Sequence, residues 1–161
     1  MLSLMLRHRP EEFGVEVDKY GYADVETVLT ALQERTSSIT LEEIEHLVHD
    51  AEKQRFEIEE GKIRARYGHS IPTEMDREPI TPPELLYKDV PVGDLDVIRT
   101  QGLLPGDRYY VHLSHQSERD SRPRRGGKPQ VVIRILAKQA HAEGVSFFDC
   151  GPTILTMEVP A

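Results

Sequence analysis

Arginine and histidine are the side chains of this sequence whose types and spacing suggest chemistry. Arg7 and His8 stand side by side in LRHRP, near the expected end of a short amphipathic helix over Met1–Leu6. Neighbours on a helix point roughly 100° apart, so the two would approach a single phosphate from different sides. Arginine grips phosphate oxygens bidentately, and histidine moves a proton near neutral pH. Basic residues ending a helix also complement its dipole, and from the residues alone that is the simpler reading. Arg64 and Arg66 in KIRAR share one side of a strand of period two, although ordinary surface arginines would look the same. The run RRGGKP, from Arg124 to Pro129, joins cations to glycines. It could wrap an anion with side chains and amides, or be a solvated loop.

Other familiar sites are missing or weak. There is no G-x-x-x-x-G-K-S/T phosphate loop and no G-x-G-x-x-G turn, so a nucleotide would not bind in either of those ways. His46 and His49 are three residues apart on a helix but lack further convincing ligands, and surface histidines are the better reading. Cys150, the single cysteine, excludes an internal disulfide, fits a reducing cytoplasm and reads as a buried structural residue. No apolar run approaches the ~20 residues needed to span a bilayer, and the opening MLSLMLRHRPEE is too short for a signal peptide.

The elements that must position these residues fall into two halves. We expect domains over residues 1–71 and 85–161, joined by the proline- and charge-rich linker PTEMDREPITPPE at 72–84. In the first half, Asp24 should cap a helix over Val25–Gln33 whose apolar face carries Val25, Val28, Leu29 and Leu32. Thr40 and Glu43 form a T-x-x-E capping box opening a helix to Lys53, with Leu41, Ile44, Leu47 and Val48 as its apolar stripe. RFEI and KIRAR around Gly61 read as a hairpin. Helices followed by a hairpin suggest a winged helix. The helix in its recognition position carries Glu42, Glu43, Glu45, Asp50 and Glu52 against Lys53, which would repel duplex DNA. The second half reads as strand-rich α+β. Helices are expected over 94–100 and 137–143, and strands over Tyr109–Leu113, Val131–Leu136, Val145–Phe148 and Thr153–Val159.

The formal net charge is −8, so any contact with nucleic acid must be local rather than through bulk charge. The cations are clustered at Arg7–Arg9, at Lys62, Arg64, Arg66 and His69, and between Arg119 and Lys128. Solvated faces are the usual fate of such runs.

The ordered segments LRHRPE, EVDKYGYADVETVL, RFEIEEGKIRARYGHSI, ELLY, GLLPGDRYYVHLS, RRGGKP and FFDCGPTILT together resemble the RNA 2′-phosphotransferase family across nearly the whole chain. The resemblance implies an α+β protein with an N-terminal winged-helix lobe, a C-terminal ADP-ribosyltransferase-like lobe of mixed β structure and a cleft between them. It implies NAD as co-substrate, an RNA carrying an internal 2′-phosphate (tRNA in the first instance) as substrate, and no metal. It also implies Arg7, His8, Arg64 and Arg125 as the catalytic set, with Arg124 the alternative to Arg125. Tyr87, His112, Leu113, Ser114 and His69 would contact NAD. In the implied reaction the 2′-phosphate displaces nicotinamide from its ribose. The ribose 2″-hydroxyl then attacks phosphorus, releasing RNA with a 2′-hydroxyl and ADP-ribose 1″,2″-cyclic phosphate. One segment departs from the family: where L-Y-H-G-T/S is usual, this chain has Leu86-Tyr87-Lys88-Asp89-Val90. We expect a cytoplasmic monomer that binds neither membrane nor duplex DNA. The competing expectations are a winged-helix regulator that binds nucleic acid, and an enzyme that ADP-ribosylates nucleic-acid phosphates and stops there.

Overall fold

The computed structural model describes residues 1–49, 54–116 and 128–161. The chain divides into two compact units, Met1–Asp76 with Asp107–Tyr109, and Arg77–Gly106 with Tyr110–Ala161. The architecture is mixed α+β with several small antiparallel sheets. Among the described residues no helix is long and apolar enough to cross a membrane.

The first unit opens with α1 (Leu2–Arg7), anchored by the fully buried Met5 and Leu6. Strand β1 (Ala23–Asp24) runs into α2 (Val25–Gln33), where the Asp24 carboxylate accepts the Thr27 N–H at 2.8 Å and its hydroxyl at 2.9 Å. That cap is the one its sequence promises. Helix α3 (Leu41–His49) opens on a reciprocal capping box: Thr40 N–H donates to Glu43 at 2.9 Å, and Glu43 N–H to the Thr40 hydroxyl at 3.2 Å. Its apolar stripe is narrower than expected. Ile44 and Val48 are buried, whereas Leu41 and Leu47 are exposed, and residues 50–53 of the expected helix lie outside the described residues. The hairpin of β2 (Phe56–Glu59) and β3 (Lys62–Ala65) turns through Glu60 and Gly61, both at positive φ (49° and 76°). A two-residue turn of that kind matches the twist of its strands and sets the register Glu57↔Arg64 and Phe56↔Ala65. β1 joins the other edge of β3, and Ile63 and Ala65 enter a core with Met5, Leu6, Val28, Leu32 and Ile44.

In the second unit, β4 (Leu86–Pro91) pairs antiparallel with β6 (Gln130–Ile135) along six residues. Helix α4 (Leu95–Gln101) follows β4, and α5 (Ala137–Ala142) follows β6. A second sheet has the order β5 (Val111–Leu113), β8 (Ile154–Thr156), β7 (Phe148–Asp149). Its core centres on Leu86, Val111, Leu113, Ile135, Phe147 and Ile154. Cys150 is buried and makes no disulfide.

Several expected boundaries move. The strand expected over Tyr109–Leu113 begins at Val111, because the Tyr109 N–H donates to the His69 carbonyl at 2.9 Å and belongs with the first unit. The strand expected over 145–148 is displaced to Phe148–Asp149, sharing only Phe148 with the expectation, and that over 153–159 is confined to Ile154–Thr156. Strand β4 carries Lys88, Asp89 and Pro91, which hid its β character from the sequence. The segment 72–84 is tied down at several points. Thr73 is buried, Glu74 N–H donates to the Lys19 carbonyl at 2.7 Å, and Ile80 bridges to Phe147.

Candidate active site

Arg7 closes α1, where its carbonyl accepts the Ser70 N–H at 2.9 Å. That bond ties the end of the helix to the GHS segment following β3. The guanidinium lies 5.4 Å from the ring centre of Phe56 and 5.2 Å from that of Tyr67. Two cation–π contacts hold a charge without neutralising it. Gly68 lies beneath, at φ +91°; a methyl group there would come within 3.3 Å of Nη1. No side-chain nitrogen of Arg7 has a hydrogen-bond partner among the described residues, and Nε and Nη2 are buried. Burial lowers the Arg7 pKa, Tyr67 opposes that, and the charges of Arg55 and Arg108 add to the lowering. A buried, unmatched guanidinium demands a reason, and an anionic ligand supplies one.

His8, just past the helix, shares a 2.9 Å hydrogen bond between Nδ1 and the Ser70 hydroxyl. Two proton arrangements satisfy it. If the hydroxyl donates, Nε2 carries the proton and acts as a donor; if Nδ1 donates, Nε2 is an acceptor. Burial, then Arg7, Arg108 and Arg9, lowers the pKa of His8, so the neutral imidazole is favoured.

His69 is buried in the same neighbourhood. Its Nε2 has no partner among the described residues and would lie 3.1 Å from a methyl group at Gly21, which sits at φ +83°. Gly21 is therefore required twice, for its backbone conformation and for the approach of the ring. Burial first, then Arg7, Arg64 and His8, depress the His69 pKa to about 4. The turn that presents Gly21 is organised by Asp18, whose carboxylate accepts the N–H groups of Tyr20 and Tyr22, each at 2.9 Å.

Arg64 is held quite differently. Nε donates to Glu57, its partner across the hairpin. Nη1 donates to Asp76 at 2.9 Å and to the Tyr20 carbonyl at 3.3 Å. The Tyr22 ring covers one face at 4.2 Å. Burial opposes the charge, but Glu57 and Asp76 outweigh it and the pKa is raised. Arg66, on the same side of the strand path, shares Glu57 at 3.5 Å and donates to Gln54 at 2.9 Å.

The remaining predicted residues lie in the second unit. Tyr87 and Ser114 exchange backbone hydrogen bonds of 2.9 Å where β4 meets β5. The Ser114 hydroxyl donates to the Gln116 carbonyl at 2.8 Å. His112 Nδ1 is 2.9 Å from the Tyr110 carbonyl, which places the proton on that nitrogen. Leu113 directs its side chain into the core, leaving only its backbone for a ligand. Lys88, at the departure from the family pattern, donates from Nζ to the His112 carbonyl at 3.2 Å. These groups offer a ring, an imidazole, a hydroxyl and an ammonium at one strand junction, a set suited to a ribose and an amide.

Arg7, His8, Arg64 and His69 thus gather in the first unit, and Tyr87, His112, Leu113 and Ser114 in the second. Arg124 and Arg125 lie outside the described residues. No group of three or more His, Cys, Asp or Glu suited to a metal occurs among the described residues. Sequence reasoning overlooked Glu57, Asp76, Ser70, Gly21 and Arg108. Only Glu57 carried a readable signal, since a two-residue turn at Glu60-Gly61 places it opposite Arg64. Arg108 is exposed and its charge bears on both Arg7 and His8.

Comparison with known proteins identifies the family. Residues 1–156 match the model of the "RNA 2'-phosphotransferase, Tpt1 / KptA family". A "Probable RNA 2'-phosphotransferase" of Pyrobaculum aerophilum is 40% identical, covering 99% of this chain and 76% of its own length. One of Acetivibrio thermocellus is 37% identical, covering 91% and 82%. One of Hahella chejuensis is 38% identical, covering 91% and 80%. This chain belongs to the RNA 2′-phosphotransferase family, whose enzymes use NAD as co-substrate to remove a 2′-phosphate from RNA.

Proposed function

We propose that Arg7, His8, Arg64 and Arg125 are the catalytic residues of this reaction, and that Tyr87, His112, Ser114, His69 and the backbone of Leu113 contact NAD. The observation that carries the proposal is Arg7, a guanidinium flanked by aromatic rings with no anion beside it among the described residues. A phosphate is the natural counter-charge for such a group. His8, with Nδ1 tied to the Ser70 hydroxyl, has Nε2 left for the same phosphate, as a donor if the hydroxyl donates to Nδ1 and as an acceptor if the hydroxyl donates to the Arg7 carbonyl.

In the first step a phosphate oxygen bonds to the ribose carbon as its bond to nicotinamide breaks, and the electron pair leaves on the nicotinamide nitrogen. That step needs alignment above all. In the second, the 2″-oxygen bonds to phosphorus, its proton is lost, and the RNA 2′-oxygen departs and gains a proton. Charge accumulates on the phosphate oxygens, where arginines lower the barrier. The Lys88 ammonium, fixed on the His112 carbonyl, is a cationic donor in place of the family's histidine.

Residues 1–71 form the winged-helix lobe in this reading, 72–84 the linker and 85–161 the ADP-ribosyltransferase-like lobe. The protein acts as a cytoplasmic monomer on 2′-phosphorylated tRNA, in the setting of tRNA splicing where ligation leaves that mark. The test is an RNA with one internal radiolabelled 2′-phosphate, incubated with and without NAD. Label should move into ADP-ribose cyclic phosphate only with NAD, and Arg125→Ala should accumulate ADP-ribosylated RNA. No transfer at any NAD concentration, by folded protein, would contradict the reading.

A further inference from the structure

A guanidinium grips an anion bidentately through two neighbouring N–H groups, either Nε with Nη2 or Nη1 with Nη2. In Arg64 both pairs already have one member committed. Nε is bound by Glu57, and the two Nη1 protons are directed at Asp76 and the Tyr20 carbonyl. Nη2 is left with no partner among the described residues. The face is fixed as well, by Tyr22 at 4.2 Å. The Arg64 side chain is 9% exposed, whereas the carboxylates of Asp76 and Glu57 keep 28% and 25%. The cation is therefore the inner member of the cluster, aimed by groups that stand outside it.

Two carboxylates on one arginine would defeat a site built for affinity, because they cancel its charge. They suit a site built for direction. We propose that Asp76, together with Glu57, is a positioning residue for the phosphate transfer: it locks Arg64 so that Nη2 alone meets the substrate. This rests on the proposed catalytic role of Arg64. Glu57 comes with the hairpin register, but Asp76 arrives from the segment after GHSI, so the lock closes only when that segment is in place. Without Asp76, one Nη1 proton is released while the Tyr20 carbonyl keeps the other. The freed proton can join Nη2 in an end-on pair, and Arg64 can bind a phosphate in a second, unproductive orientation.

The prediction is a loss of turnover without a loss of binding. Asp76→Ala should lower kcat for NAD-dependent 2′-phosphate removal by about tenfold or more and leave KM for RNA unchanged or lower, because a freed fork holds ground-state phosphate at least as well. Asp76→Asn retains an oxygen for Nη1 and should recover most of kcat. Both variants should keep a cooperative thermal transition, and kcat is referred to the folded fraction. The decisive comparison repeats Asp76→Ala in an Arg64→Lys background, where no fork remains to be aimed. There the further loss should fall below about threefold. An equal loss in both backgrounds, or a KM for RNA that rises with kcat unchanged, would overturn the positioning role. Near-normal activity of Arg64→Ala and Arg64→Lys themselves would instead overturn the assignment of Arg64 as catalytic.

Discussion

Arg7 and Arg64 are both largely enclosed arginines of one unit, yet they are held by opposite means. Arg7 rests on the rings of Phe56 and Tyr67 with no carboxylate beside it among the described residues. Arg64 is bound by Glu57 and Asp76. Aromatic faces orient a cation and leave its field intact, whereas carboxylates orient it and cancel most of its field. One arginine thus remains an attractor for anions, and the other becomes a fixed pointer. If the proposed catalytic roles hold, the site divides affinity and direction between two residues of the same type, and the division follows from their neighbours.

The largest expected effect separates the two in activity and stability together. Arg7→Leu should reduce kcat/KM by about 10²–10³-fold, the range seen when a preorganised charge stabiliser is removed, and Arg7→Lys should not restore it, because an ammonium lacks the planar face that stacks on the rings. The same Arg7→Leu change should leave Tm unchanged or raise it, since a buried unmatched charge is replaced by an apolar group that suits the rings. Next in size, Arg64→Leu should lower stability by about 3 kcal/mol, because Asp76 loses its cation and Glu57 keeps only Arg66 at 3.5 Å. Denaturant melts of the two variants check the contrast, and equal Tm shifts would break it.

A smaller effect concerns pH. His69 is buried and neutral, with its pKa pushed down to about 4 from 6.5 by burial, then by the neighbouring Arg7, Arg64 and His8. The unfolded chain binds this proton more readily than the native state does. Stability is therefore fully present above about pH 6.5, declines as pH falls towards 4, and stops declining below that. The loss is bounded by about 3 kcal/mol. His69→Gln, which keeps a polar side chain but cannot titrate, should flatten that part of the stability profile. A variant profile that still fell by the same amount would sever the link between His69 and its cationic neighbours.

The smallest effect belongs to Arg108, an exposed cation whose charge reaches Arg7 and His8. Arg108→Ala should raise the Kd for RNA a few-fold, reduce the salt dependence of binding by about one phosphate contact, and leave kcat unchanged. Titrations at several salt concentrations measure both quantities, and an unaltered salt slope would remove Arg108 from the binding surface.

Local elements were well legible in the sequence. The Asp24 cap, the Thr40–Glu43 box and the Glu60-Gly61 turn are short-range devices whose partners lie within four residues, and all three form. The limits of the second unit's strands were less legible. β4 alternates poorly around Lys88 and Asp89, and Tyr109 leaves its expected strand for a bond to His69, forty residues away in sequence. The arginines and histidines of the site were visible as residue types, and a family pattern singled out which of them to watch. Their settings were not visible. Asp76 sat in what reads as a linker, and the Gly21–His69 approach depends on a turn folded around Asp18. Such contacts are tertiary, and composition or periodicity has no means of encoding them.

The proposed division of labour between Arg7 and Arg64 is tested most directly by binding without turnover. The affinities of two RNAs, identical except for an internal 2′-phosphate or 2′-hydroxyl, would be measured without NAD for the unaltered protein, Arg7→Ala and Arg64→Ala. The preference for the phosphorylated RNA should fall more than tenfold in Arg7→Ala and stay within about threefold of its original value in Arg64→Ala. Equal losses in the two variants, or a larger loss in Arg64→Ala, would contradict the account.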